Sequence, residues 1–234
     1  MIPIRDNIPS RTYPIVTVSL IVANGLAFLY EMSFGKSLEQ FFLTYGLVPA
    51  RYFYLSGNAA WNVLSRFGPI FTSMFLHGGW LHIIGNMLYL WIFGDNVEDR
   101  MGHWKFLLFY LLCGVASAYA HLYTNSTSEV PTIGASGAVA GVMGAYMILY
   151  PRARIMTLVF IFFFITFVSV PAVTFLFFWI VLQFISGMFT SAIGQSGGVA
   201  WWAHIGGFAC GVALVWLFKK REHRPLYPDE YKPW

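Results

Sequence analysis

Four polar side chains lie inside stretches that are otherwise apolar: His82, Asn86, Ser136 and His204. Polar groups in such settings are expensive, and each is a functional hypothesis by default. Ser136 stands in Gly134-Ala135-Ser136-Gly137, at the start of an apolar helical pattern. A serine hydroxyl is a weak nucleophile and needs an adjacent base. His204, in Ala203-His204-Ile205-Gly206-Gly207, is the candidate base. His82 and Asn86 are four residues apart and share one helix face. An Asn amide and a neutral His ring N–H are donors of the kind a developing oxyanion needs. The backbone N–H of Ser136, at the positive end of a helix dipole, would add a third. The chemistry this set supports is attack of Ser136 on an acyl carbon, with a Ser136–His204 dyad. No Asp lies near His204 in its span, so a Ser–His–Asp triad is not expected. The local pattern is also not G-x-S-x-G, because Ala138 replaces the last glycine.

Each residue also has a plainer reading. Ser136, Ala140 and Gly144, with Gly137 and Gly141, form a small-residue surface suited to helix packing. The face of His204 continues through Gly207 and Gly211, so a packing histidine bonded to a carbonyl is an alternative. Taken alone, His82 and Asn86 read first as a pair that hydrogen-bonds between helices. If the two glycine faces dock, His204 comes beside Ser136. A metal site from His77, His82 and His204 is a second chemistry. It lacks a carboxylate and the His-Glu-x-x-His pattern, so neither metal nor cofactor is expected. Cys113 and Cys210 lie in apolar blocks without ligand spacing and read as inert packing residues.

The elements that must position these groups are membrane spans. Of 234 residues, 58% are hydrophobic, 19% aromatic and only 10% charged, against about 25% charged in an average soluble domain. The apolar residues come in long blocks, and a span needs about 20 of them. We read spans at residues 14–32, 80–97, 104–123, 133–150, 172–189 and 199–218. The first block lacks a small-residue cleavage site and is read as a retained span, not a signal peptide. Residues 33–79 are too interrupted to cross and too apolar for a free linker, so an interfacial first loop is expected. Residues 155–187 carry no charge; as one helix they would run about 50 Å against a core of about 30 Å. Pro171 breaks them.

Positive residues choose between six and seven crossings. With six crossings and both termini cytoplasmic, eleven of the 14 Lys and Arg residues fall inside. Only Lys36, Arg51 and Arg66 fall outside. Seven crossings would export the Lys219-Lys220-Arg221 cluster. Residues 155–170 are therefore expected to be interfacial or re-entrant. The net charge of +4 is explained by this asymmetry, and no nucleic-acid partner is implied. Six spans also place His82, Asn86, Ser136 and His204 together, a little below the outer surface.

Four segments resemble the rhomboid family. Phe75-Leu76-His77-Gly78-Gly79-Trp80-Leu81-His82-Ile83-Ile84-Gly85-Asn86 looks like its second-span motif, and Gly134-Ala135-Ser136-Gly137 like its nucleophile motif. Ala203-His204-Ile205-Gly206-Gly207 is similar to its last-helix motif. Gly94-Asp95-Asn96-Val97-Glu98-Asp99-Arg100-Met101-Gly102 looks like its turn between spans two and three. The resemblance covers about residues 71–218. It implies an all-α, six-helix membrane bundle in a single polytopic domain over residues 1–234. It implies an intramembrane serine endopeptidase with Ser136 as nucleophile and His204 as base. The oxyanion hole would come from His82, Asn86 and the Ser136 backbone. Glu98 and Arg100 match positions that tie the second helix to its neighbours. One departure is in the first loop: many members carry a Trp-Arg pair, whereas here Trp61 and Arg66 are separated. The expected partners are the lipid bilayer and single-span or other transmembrane protein substrates, with Phe177, Phe178, Trp179 and Phe184 as a lateral gate. The expected location is the cell membrane, a prokaryotic inner membrane, with the active site towards its outer face. The alternative is a non-catalytic membrane chaperone or adaptor that holds client helices; inactive relatives lack Ser or His, and this chain retains both. A small transporter would need paired intramembrane charges or broken-helix repeats, which the central spans lack.

Overall fold

The computed structural model describes residues 2–54, 63–161, 164–192 and 199–220. In chain order, strand β1 (Ile2–Asp6) precedes helix α1 (Ile15–Met32). Three short helices follow: α2 (Leu38–Tyr45), α3 (Pro49–Tyr54) and α4 (Val63–Thr72). Then come α5 (Trp80–Met101), α6 (His103–Thr124) and α7 (Ser136–Leu149). Strands β2 (Arg154–Ile161) and β3 (Phe164–Pro171) lead into α8 (Ala172–Ala192) and α9 (Trp201–Phe218). The long helices match the expected spans to within a few residues. Four of them, α1, α6, α8 and α9, are long and apolar enough to cross a membrane. Helix α5 carries Asp95, Glu98, Asp99 and Arg100 in its last two turns. Helix α7 has 14 residues, a length of about 21 Å.

The all-α expectation fails at residues 154–171. They form an antiparallel hairpin, paired from Arg154↔Pro171 to Ile161↔Phe164, and β1 adds to β2 as a third strand. Ile155, Thr157, Val159, Ile165, Thr166, Val168 and Val170 are β-branched, which favours a pleated strand over a helix. Pairing within the sheet satisfies the backbone groups that a re-entrant coil would leave bare. Ala172 then starts α8, and its N–H donates to the Ala153 carbonyl at 2.7 Å. A helical crossing over residues 155–170 is excluded by this hairpin.

The turn between α5 and α6 is also shorter than expected. Residues 94–101 are helical, and Gly102, at φ 85°, makes the reversal alone. Only glycine adopts that φ readily. Keeping Glu98 on a helix places its buried carboxylate under the first turn of α1. There it accepts from Val16 N (2.9 Å), Thr17 N (2.7 Å) and Thr17 Oγ1 (2.7 Å). The residue before α1 is Pro14, which offers no side-chain cap, so Glu98 serves the orphan N–H groups from a distance. Its Oε1 also lies 2.5 Å from His103 Nδ1 on α6. The Arg100 guanidinium lies over the Tyr150 ring, 5.9 Å from its centroid. Its carbonyl accepts from Lys220 N at 2.8 Å. The N-terminal strand, the α5–α6 turn, the sheet and the end of α9 thus meet at one end of the bundle.

Helix α7 runs through the centre, buried on nearly all sides. Small residues allow this. A Cβ built on Gly207 falls against the Gly137 carbonyl, and one on Gly211 against the Gly141 carbonyl. Helices α7 and α9 therefore touch backbone to backbone over successive turns, as the docking of the two glycine faces requires. Cys113 packs against Gly141 from α6. At the opposite end from the sheet, Leu47 exchanges backbone hydrogen bonds with Thr132 (3.0 and 2.8 Å), and Gly134 N donates to Ser73 O at 2.8 Å. The first loop thereby holds the segment that leads into Ser136. In that loop the Arg66 guanidinium lies over Tyr52 (4.9 Å) and Phe67 (5.3 Å). Trp61 lies outside the described residues.

Candidate active site

The glycine contact between α7 and α9 sets the distance that matters most. Ser136 is the first residue of α7, and His204 lies in the first turn of α9. His204 Nε2 is 2.8 Å from Ser136 Oγ. The other ring nitrogen, Nδ1, is 2.7 Å from Gln183 Oε1 on α8. The Trp179 ring leans on His204, with centroids 5.9 Å apart and planes inclined by 34°. His204 is only 9% exposed. A hydroxyl bonded to an imidazole at this distance is the pairing that activates serine for attack.

His82 and Asn86 face the same place from α5. Gly134 has φ 126°, and a Cβ there would lie 2.6 Å from His82 Nε2 and 3.6 Å from Asn86 Nδ2. Glycine is required at 134 on both counts, backbone and space. The His82 ring nitrogen and the Asn86 amide therefore sit just before the α7 N-terminus. Asn86 is 8% exposed, and its Nδ2 has no hydrogen-bond partner among the described residues. A buried unsatisfied donor costs about 1–3 kcal/mol; such a cost is tolerated where an acceptor arrives during function. On the far side of the His82 ring, the Gly78 N–H donates to Nδ1 at 3.4 Å.

His77 stands behind His82, with ring centroids 5.1 Å apart in an edge-on arrangement. Its backbone N–H donates to Glu31 Oε2 at 3.0 Å. Burial, then the neighbouring His82, pushes its pKa down to about 4, so the ring is neutral. His77, His82 and His204 do not form a ligand cluster among the described residues. His77 instead buttresses the ring that faces Gly134.

Ser136, His204, His82, Asn86, Trp179 and Gln183 all line one cavity of about 690 Å³. His121, buried on α6, lines it as well. The four side chains singled out from sequence are thus brought together at one end of the bundle. Of the aromatic residues expected to form a gate, Phe177, Phe178 and Phe184 point outward, while Trp179 turns inward onto His204. Sequence reasoning missed Gln183. The available signal was that Gln183 is the only amide in α8, a polar group in an apolar helix like the other four.

The sequence profile of the Rhomboid domain matches residues 61–221. Rhomboid protein 1, mitochondrial, from Saccharomyces cerevisiae is 30% identical over 158 residues, which cover 64% of this chain and 42% of that protein. Rhomboid protease GluP from Bacillus subtilis is 30% identical over 139 residues, 59% of this chain and 24% of that protein. Rhomboid protease AarA from Providencia stuartii is 30% identical over 146 residues, 57% of this chain and 50% of that protein. The chain spans half or less of the length of these relatives. With the profile covering well over half of the sequence, the chain belongs to the rhomboid family and is a multi-pass membrane protein.

Proposed function

We propose that this chain is an intramembrane serine endopeptidase that cleaves transmembrane proteins within or beside their spans. The observation that carries the reading is the 2.8 Å contact between Ser136 Oγ and His204 Nε2. It lies at a helix N-terminus, in a largely apolar cavity into which His82, Asn86 and Gln183 also bring polar groups. In the first step Ser136 Oγ attacks the scissile carbonyl carbon as its proton passes to His204 Nε2. The carbonyl oxygen becomes an oxyanion held by the Ser136 N–H, His82 and Asn86. The unused Asn86 donor suits this role, since such donors act on charge that appears only in the transition state. The imidazolium then gives its proton to the leaving amine, and the peptide bond breaks. Water, deprotonated by His204, attacks the acyl-enzyme and frees the new carboxylate and Ser136.

The substrate is a transmembrane protein that presents unwound backbone near the outer end of a span. Helical backbone is fully hydrogen-bonded, so small or helix-breaking residues at the cleavage site favour attack. Outward-facing Phe177, Phe178 and Phe184 on α8 form the lateral gate. Six crossings with both termini cytoplasmic agree with the charge pattern. Arg100, Lys105, Arg154 and Lys220 belong to the sheet end of the bundle, away from Ser136. By the positive-inside rule that end is cytoplasmic, and in a bacterial inner membrane the site opens towards the outer face. The described residues 33–54 and 63–79 belong to an interfacial first loop.

The test is cleavage of a single-span substrate by the purified chain in detergent, beside Ser136→Ala and His204→Ala. The reading expects cleavage by wild type alone, with all three proteins folded. Cleavage retained in Ser136→Ala overturns the assignment. A folded wild type that binds but never cuts several such substrates points to a client-holding adaptor.

A further inference from the structure

We propose that Gln183 is a positioning residue for His204, making the catalytic array Ser136–His204–Gln183 and not a bare dyad. The proposal rests on the protease reading above and deepens it. A base must present its lone pair to the serine, so the proton of neutral His204 must sit on Nδ1. That proton needs an acceptor, and the described structure offers Gln183 Oε1 at 2.7 Å. Both side chains are more than nine-tenths buried, so bulk water is not the competing partner.

A glutamine could also present its NH₂ to the ring, which would favour the opposite tautomer. The second contact of Gln183 decides between them. Its Nε2 donates to the Trp179 carbonyl one turn earlier, at 3.3 Å. A flipped amide would set Oε1 against that carbonyl, acceptor against acceptor, and NH₂ against Nδ1. The orientation that satisfies both ends places the acceptor on His204. Trp179, which supplies that carbonyl, also packs its ring on His204. One turn of α8 therefore fixes both the rotation and the tautomer of the imidazole. Aspartate does this work in the Ser–His–Asp arrangement, where its role is orientation and tautomer. An uncharged amide does it here without burying a carboxylate among apolar helices, where an unpaired charge is costly. Because Gln183 sits on α8, the same bond ties α8 to α9, so displacement of α8 frees the ring.

The experiment uses the full chain in micelles with ¹⁵N-labelled histidine, with His204 assigned by loss of its signals in His204→Ala. Gln183→Met keeps the length and apolar packing but removes the acceptor; Gln183→Glu restores an acceptor and adds charge. Wild type is expected to show a pyrrole-type Nδ1 and a pyridine-type Nε2. Gln183→Met is expected to average the two nitrogens and to lower kcat roughly 10- to 100-fold, with KM changed less than about 3-fold. Gln183→Glu is expected to recover the Nδ1–H signature and to move the acidic limb of the kcat profile to higher pH, because a carboxylate favours imidazolium. An unaltered His204 tautomer in Gln183→Met, or wild-type kcat with an unshifted pH limb in both variants, overturns the proposal. The tautomer readout does not depend on proteolysis. A wild type that never cleaves but loses its Nδ1–H signature in Gln183→Met would sink the protease reading while sustaining the positioning role.

Discussion

Replacing Gly207 by alanine tests whether helix packing sets the chemistry. A Cβ at this position lies 2.8 Å from the Gly137 carbonyl carbon and closer still to its oxygen. Ordinary van der Waals contact begins near 3.4 Å, so α9 must back away by at least about 0.6 Å in a tightly packed interior. Gly207 is one turn from His204, and Gly137 is adjacent to Ser136. The retreat therefore falls on the 2.8 Å bond between Ser136 and His204 and stretches it beyond ordinary hydrogen-bond length. A misplacement of about 1 Å at reacting groups costs about 100-fold in rate, while overpacking costs about 1–3 kcal/mol of stability. Gly207→Ala is expected to lower kcat by about two orders of magnitude with KM little changed, and to lower the melting temperature by several degrees. Gly25→Ala on α1 is the control, because nothing lies within 4 Å of its Cβ. It should leave cleavage unchanged and hold or raise stability, since alanine is the better helix former by about 1 kcal/mol. Wild-type turnover and melting in Gly207→Ala would refute the backbone contact and the link from packing to catalysis.

Three further outcomes follow from other parts of the structure. Asn86→Ala is expected to reduce kcat by about 10²–10³ with KM nearly constant, as for loss of one oxyanion donor; steady-state kinetics on a single-span substrate measures this. Glu98→Ala strips the first turn of α1 of a buried acceptor and leaves the Val16 and Thr17 donors unsatisfied; unfolding in detergent should show a loss of about 1–3 kcal/mol or more, with Glu98→Gln losing less. Asp6 has its pKa raised to about 7, chiefly by burial, and accepts hydrogen bonds from Tyr146 and from Asn96 (3.0 Å). A carboxyl raised in the folded state favours the protonated form. Its stability contribution is full below about pH 4 and is lost as pH rises to about 7, then stays constant. Melting temperature should therefore fall between pH 4 and 7 in wild type, and fall less in Asp6→Asn.

Much of the site was legible because a membrane makes polar residues conspicuous. His82, Asn86, Ser136 and His204 stood out against apolar surroundings, and Gly207 and Gly211 indicated which face of α9 approaches another helix. Most helix ends were readable for the same reason, from Ile15 to Phe218, the C-terminal end of α5 excepted. The sheet was not. An uncharged apolar run has no period that separates buried strand from buried helix, and β2 is completed by β1, roughly 150 residues away in sequence. The α5–α6 reversal was misread because Asp95, Glu98 and Asp99 look like loop composition. Their helical placement follows from what they meet in space, Glu98 beneath the first turn of α1 and Asp99 at Thr12 (2.6 Å). Gln183 stands out in α8 as its only amide, but its contact with His204 depends on the rotation of α8 about its axis, which a helix with apolar residues on every side leaves open.

The most direct test of the central claim is acylation or phosphonylation of the folded chain by a serine-directed probe, with the adduct mapped by mass spectrometry. The account predicts one adduct, on Ser136, formed in wild type and suppressed in His204→Ala. No adduct on Ser136, or labelling undiminished when His204 is removed, would contradict a serine nucleophile activated by that histidine.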